Sequence, residues 1–411
     1  MIQRIPFSKQ MVPLFIAVIA VAVAAAIAIA APDKLLIPAD NADAGVRMLR
    51  DDFELSVFYN RGSWLLNGST PYDPELFQEY PQLGLMYVSL PHVFSSSYAG
   101  YRTALIVMNL LAYGVLIVVT YLILKKLGRS SWLLLLFALP SMLYFAMNRF
   151  DIFVVLLAQV SLYLLLSKRY TASCVLLAAA VLTKWYPIIF APAYALYMYA
   201  QLGPVQYRAA LKRGMIAFCA IVVGVMGLSF MVDGVHSLVP YLFHSSRPAG
   251  VGSFYFHVVQ QFLLGLGLEQ VNYFGIAVFF FLQFMIPLLL LVRFKKLSAA
   301  PRGDRSLVLW LTLAVFTFIL FSRFYSPQWV LWFLPLLVLV ARTKLEVFLI
   351  IIFDIINYLA FPVIWQSLGH QSSLFTASSL SLVAILVILT ALAARQAISA
   401  GRLPPPVRSK L

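Results

Sequence analysis

Residues 11–31, MVPLFIAVIAVAVAAAIAIAA, run for 21 positions without a charge. As a helix, that stretch is long enough to cross a hydrocarbon core of about 30 Å. Working outward, comparable apolar runs begin near residues 103, 130, 151, 171, 187, 214, 272, 306, 328, 345 and 376. The fifth and sixth are short and split at Pro187. In lipid every backbone polar group must be satisfied internally, which selects helices for runs of this kind. The expectation is an all-α polytopic membrane protein with about 12 transmembrane helices, forming one integral membrane domain over residues 1–411. Composition agrees, because only 11% of residues are charged, against roughly 25% in a soluble domain. The first run also exceeds the usual signal-peptide core of roughly 7–15 residues, so a retained span is expected.

The net charge of +15 follows from membrane topology rather than from nucleic-acid binding. The basic residues lie between apolar runs, and no basic, aromatic-interleaved soluble domain exists. With an inward N-terminus, 21 of the 30 basic residues fall on the cytoplasmic side. This bias orients both termini inward. The divisions expected from it are a first extracytoplasmic loop over 32–102 containing short helices, a second outer loop over 233–271, and a cytoplasmic tail over 396–411. Within the second loop, Phe254 to Leu268 has the pattern of an interfacial helix.

Nine of the 15 carboxylates lie between Asp33 and Glu79, inside the first loop. Three of them, Asp51, Asp52 and Glu54, occupy four consecutive positions. Mutual repulsion with partial burial raises a carboxyl pKa, and a carboxylate titrating near the working pH can act as a general base. Aromatic residues alternate with the acids, from Phe53 through Tyr59 and Tyr72 to Tyr80. Three cations recur beside aromatic residues at the outer ends of later spans: Arg149, Lys184 and Arg323. Repeated on one face, such cations suit a lipid-linked phosphate. Arg323 and Lys184 have no acid within three residues, whereas Asp151 stands two positions from Arg149 as its expected partner. Tyr59, Tyr72, Asp151, His257 and Gln328 are the expected substrate contacts. Asp354 and Asn357, one helical turn apart, read as a buried hydrogen-bonded pair. The histidine spacings fit no zinc motif, Cys174 and Cys219 read as packing residues, and no metal or cofactor is expected.

Four pieces carry a family resemblance. The first loop runs from the acids through Asn67-Gly68 and Pro71-Tyr72-Asp73 to Tyr80-Pro81. After it come Arg149-Phe150-Asp151, then Lys184-Trp185-Tyr186-Pro187, then Ser326-Pro327-Gln328-Trp329 with Trp332 and Leu334-Pro335. Together they resemble the GT-C superfamily of membrane glycosyltransferases and, within it, glycosyltransferase family 87, which is similar to polyprenol-phosphate-mannose-dependent mannosyltransferases. The resemblance implies a GT-C-like fold and a catalytic Asp in the first outer loop, at Asp52, Asp51 or Glu54. It also implies a polyprenyl-phosphate sugar donor and a lipid or glycan acceptor. Transfer would be inverting and metal-independent, from a monomer among membrane lipids. Glu79-Tyr80-Pro81-Gln82 departs from the family by lacking a second proline. The competing reading is a transporter or flippase of lipid-linked saccharides. Transporters show internal repeats and broken helices with polar groups at the midplane, and the sequence has no evident repeat.

Overall fold

The structure, a computed structural model, describes residues 7–30, 50–74, 78–246, 249–296 and 303–401. Residues 32–49 and 75–77 of the expected first loop, 247–248 of the expected second and 402–411 of the expected tail lie outside the described residues. Among the described residues every regular element is helical. Five helices among the described residues are long and apolar enough to cross a membrane: Tyr98–Lys126, Pro204–Phe243, Phe274–Val292, Lys344–Leu368 and Ser373–Ser399. A sixth candidate, the bent span, is a pair of helices, Ser131–Ala138 and Pro140–Asn148, that meet at 66° and pass the same test together. The bend falls where Pro140 opens the second helix, a position that tolerates the missing N–H.

The expected count of about 12 spans is redistributed. The run near 11 lies in the helix Phe7–Ala30, and those near 151, 171 and 328 form shorter apolar helices, Asp151–Leu166, Tyr170–Thr183 and Pro327–Val340. Those near 187 and 214 do not separate. After a 3-10 turn, Tyr186–Phe190, one helix continues from Ala191 to Asp233 with Pro204 inside it. The 18-residue apolar window of Pro204–Phe243 has no buried residues, so that stretch is apolar toward lipid rather than toward a protein core.

The core is a helical hairpin. Every residue from Leu307 to Ile319 and from Val330 to Val340 is buried, as expected for helices apolar on all sides. Asp304–Leu320 packs on Ser373–Gly401 and Glu269–Lys296, and Val330–Val340 packs on Pro140–Asn148 and Asp151–Leu166.

The described part of the first loop folds into short helices at Asp52–Gly62, Trp64–Asn67 and Gln82–Ser89. Asp51 caps the first of them, accepting the Glu54 N–H at 3.2 Å. Asp52–Gly62 rests on Gln82–Ser89, which rests on the end of Tyr170–Thr183. Two glycines permit this stacking. A Cβ on Gly62 would stand 2.8 Å from the Val88 carbonyl oxygen, and one on Gly84 2.5 Å from that of Thr183. The acids of the loop are thereby laid over the segment that carries Lys184.

The segment expected as the second outer loop holds a π-helical turn at Tyr255–Gln260 followed by the helix Gln261–Gly265. Asp354 and Asn357 do not bond to each other as expected. Each reaches instead to the bent span. Asp354 accepts the backbone N–H groups of Ser141 and Met142 at 2.8 and 3.2 Å, satisfying the open N-terminus of Pro140–Asn148. Asn357 donates to Ser141 Oγ at 2.6 Å and to the Pro327 carbonyl at 2.9 Å, and accepts from Tyr325 Oη at 2.9 Å.

Candidate active site

A cavity of about 1090 Å³ opens between the first-loop helices, the Arg149 end of the bent span, the 322–332 segment and the end of the Lys344–Leu368 region. One part of its wall is charged, with Asp51, Asp52, Glu54, Glu79, Arg149 and Lys184. Another is aromatic and apolar, including Phe361, Trp365, Phe375 and Leu382. Between them, the Trp332 ring stacks on Tyr186 at 3.9 Å and on Trp329 at 4.6 Å.

The cations are held by carboxylates that are distant in sequence. Arg149 follows the last residue of Pro140–Asn148, where the chain turns into Asp151–Leu166. Its Nη2 donates to Asp51 Oδ2 at 2.6 Å and its Nε to Gln328 Oε1 at 3.2 Å. Asn148 Oδ1 accepts the Asp51 N–H at 2.9 Å, so the two segments are fastened twice. Lys184 Nζ donates to Asp151 Oδ1 at 2.7 Å, and Trp332 Nε1 donates to the same oxygen at 2.7 Å. The Lys184 ammonium also lies 5.2 Å from the Phe150 ring centre and 5.3 Å from that of Trp332. Asp52 Oδ1 accepts from Arg102 Nη1 at 3.2 Å and Tyr98 Oη at 3.4 Å. Glu79 Oε1 accepts from Arg61 Nη1 at 2.7 Å.

Glu54 differs from these acids. It is half-buried on the cavity wall, and among the described residues no hydrogen bond or ion pair reaches its carboxylate. Burial raises its pKa above the ordinary carboxylate value, opposed by Arg149 and Arg61 and reinforced by Asp51 and Glu79. Burial works against the Arg149 charge, but Glu54 and Asp51 outweigh it and raise the guanidinium pKa. The Tyr80 phenol is pushed well above its usual value, first by burial and then by Glu54 and Glu79. Among the described residues, no group of three or more His, Cys, Asp or Glu is arranged to hold a metal ion.

No protein-family model matches the chain, and no curated protein matches it. Solved structures of ArnT from Cupriavidus metallidurans are similar to it. The apo crystal structure has 13% identity and a TM-score of 0.47, covering 94% of this chain and 77% of that one. The crystal structure bound to undecaprenyl phosphate has 14% identity and a TM-score of 0.48, covering 97% and 79%.

Of the residues singled out by sequence, Asp51, Asp52, Glu54, Arg149, Lys184 and Gln328 line the cavity together. Arg323 is not among its lining residues. Its guanidinium carbon lies 5.1 Å from the Phe280 ring centre, with the side chain buried. Its carbonyl instead accepts from Gly250 N at 2.9 Å and Ser253 Oγ at 2.8 Å. That holds the segment whose residues Ala249 to Gly252 form part of the wall. The pairing expected between Arg149 and Asp151 is replaced by two crossed pairs, Arg149 with Asp51 and Lys184 with Asp151. Asp151 is wholly buried behind Lys184 and does not line the cavity.

Tyr59 and Tyr72 also stand off the cavity. Tyr59 donates to the Ser96 carbonyl and packs against Tyr98 and Tyr101. Tyr72 is buried, donating to the Tyr80 carbonyl, with its N–H on Asp233. His257 is not a lining residue either. Sequence reasoning missed Arg102 and Arg61 as partners of the acids, and Phe361 and Trp365 as the aromatic wall. Arg102 sits 50 positions from Asp52, and no local pattern announces such a pair.

Proposed function

We propose that the chain is an integral membrane glycosyltransferase. It moves a sugar from a polyprenyl-phosphate donor to a lipid or glycan acceptor on the extracytoplasmic face. Mannose is the sugar that the sequence resemblance favours. The observation that supports this reading is the division of a single cavity. Arg149 and Lys184 stand among carboxylates on one wall, and an aromatic, apolar wall adjoins them. A polyprenyl phosphate is an anion on an apolar chain and needs both kinds of surface side by side.

In the proposed reaction a carboxylate of the Asp51, Asp52 and Glu54 cluster takes the proton of an acceptor hydroxyl. The acceptor oxygen attacks the anomeric carbon, and the carbon–oxygen bond to phosphate breaks with its electron pair passing to the phosphate. One displacement inverts the configuration. Arg149 and Lys184 hold the phosphate and stabilise the charge it gains, which is the task a metal would otherwise perform. Both cations have carboxylate partners in the resting site, so the phosphate shares or replaces those partners. Arg323 is assigned instead to fastening the 249–253 segment through its carbonyl.

The bent span with a buried Asp at its break gives a transporter of lipid-linked saccharides standing as the second reading, since broken helices mark such proteins.

Native mass spectrometry of the purified chain tests the donor class. We expect undecaprenyl phosphate to be retained by the wild type and lost by at least tenfold in Arg149→Ala. Equal retention by both, or none by the wild type, counts against the reading.

A further inference from the structure

The proposed reaction leaves its base unassigned among three neighbouring acids, and the ion pairs around the cavity distinguish them. Four carboxylates line the wall: Asp51, Asp52, Glu54 and Glu79. Three are each held by a guanidinium, Asp51 by Arg149 at 2.6 Å, Asp52 by Arg102 at 3.2 Å and Glu79 by Arg61 at 2.7 Å. The remaining cation of the wall, Lys184, is held by Asp151 from behind it. Glu54 is left with no ion pair or hydrogen bond to its carboxylate among the described residues. Its backbone is nonetheless fixed, because its N–H is the one that Asp51 Oδ1 accepts at 3.2 Å.

We propose that Glu54 is the catalytic base, the group that receives the acceptor's hydroxyl proton; this rests on the glycosyltransferase reading. A carboxylate held by a guanidinium has its oxygens engaged, so an acceptor hydroxyl must compete with that cation to reach them. Asp51 is the poorest candidate, with Oδ1 on the Glu54 N–H and Oδ2 on Arg149. Asp52 Oδ1 is engaged by both Arg102 and Tyr98. Either acid weakens a charge-assisted bond on taking a proton, and such bonds are about twice as strong as neutral ones. Glu54 gives up none.

The charge balance of the step agrees with this placement. The acceptor proton goes to a Glu54 oxygen, the acceptor oxygen bonds to the anomeric carbon, and the phosphate leaves with the electron pair. One negative charge thus disappears at Glu54 and one appears on the phosphate held by Arg149 and Lys184. The ion-paired acids keep their charges throughout, so the cavity's net charge is the same before and after.

The charged and titratable groups facing Glu54 are Asp51 at the cap of its helix, Arg61 farther along it, Glu79 and Tyr80 from the loop, and Arg149 from the bent span. Their balance, led by burial, holds Glu54 protonated to a higher pH than a free carboxylate. A base must be deprotonated, so activity falls as pH drops through this raised value.

The test uses the full chain in membranes containing its acceptor, with release of polyprenyl phosphate from polyprenyl-phosphate mannose as the readout. Glu54→Gln is expected to lower release by about 10²–10⁴-fold while undecaprenyl phosphate binding stays within a few-fold of wild type. Glu54→Asp should recover part of the release and shift the acid limb of kcat/KM, which a merely structural role would not do. A hydrophobic carbodiimide, which attacks protonated carboxyls, supplies a readout apart from turnover. It should modify Glu54 in preference to Asp51, Asp52 and Glu79, and less as pH rises. Near-wild-type release by Glu54→Gln with a silent Asp52→Asn overturns the assignment and leaves the glycosyltransferase reading standing, as does modification at Asp52 instead of Glu54. A wild type that neither binds undecaprenyl phosphate nor releases it overturns both.

Discussion

At the scale of single residues, the site is organised by which carboxylate holds which cation. Lys184 and Asp151 are the sharpest case, because the Asp151 side chain is wholly shielded while that of Lys184 keeps 17% exposure to the cavity. Removing one partner of a buried pair strands the other and costs about 3–5 kcal/mol. Lys184→Ala should therefore lower the apparent Tm in detergent markedly, and adding Asp151→Asn should recover most of that loss. The double variant separates the two roles of Lys184, since it should still bind undecaprenyl phosphate poorly. A single variant as stable as wild type contradicts the pairing. The cations themselves were legible in the sequence, where Arg149 and Lys184 stood out by their aromatic neighbours at one membrane depth. Their partners were not. Depth along the membrane normal follows from position in a span, but the direction a side chain takes around the axis depends on packing. That is why Arg323 turns toward Phe280, and why Asp151 turns inward to Lys184 and Trp332.

At the scale of elements, the site depends on two joints. One is the stack of Asp52–Gly62 on Gln82–Ser89 on the end of Tyr170–Thr183, with Gly84 admitting the Thr183 carbonyl. Gly84→Val forces these apart. Overpacking of this kind costs about 1–3 kcal/mol, and the variant should lose undecaprenyl phosphate affinity although residue 84 does not line the cavity. The other joint is the polar strut from Lys344–Tyr358. Asn357 ties Ser141 of the bent span to Pro327 and Tyr325, next to Gln328, the acceptor for Arg149 Nε. Asn357→Leu leaves three buried polar groups without this partner, each worth about 1–3 kcal/mol. A fall in thermal stability is expected, measured by the same detergent assay; an unchanged Tm contradicts a structural strut. The short helices of the first loop and the helical character of every long apolar run were legible from composition and punctuation. The bend at Leu139–Pro140 and the fusion of two expected spans into Ala191–Asp233 were not, because Pro140 opens a helix at the bend whereas Pro204 lies inside an unbroken one, so proline alone does not place a break.

At the scale of the whole molecule, the described residues form a buried hairpin core beside a large cavity whose charged and apolar walls meet, together with helices long and apolar enough to cross a membrane. The excess of basic residues on one set of loops predicts that both termini face the cytoplasm. In a background lacking Cys174 and Cys219, an impermeant thiol reagent added to intact cells should label Ser69→Cys and spare Ser409→Cys; the reverse pattern contradicts the orientation. The broken span and its buried cap leave bond transfer and lipid transport as the two activities to be told apart, and one measurement does so. The purified chain is placed in sealed vesicles with polyprenyl-phosphate mannose carrying labelled sugar, together with a lipid extract from the native membrane as acceptor. Transfer predicts label on the acceptor with inverted anomeric configuration and an equal amount of free polyprenyl phosphate. Label that crosses the bilayer still bonded to its polyprenyl phosphate, with no acceptor glycosylated, contradicts it.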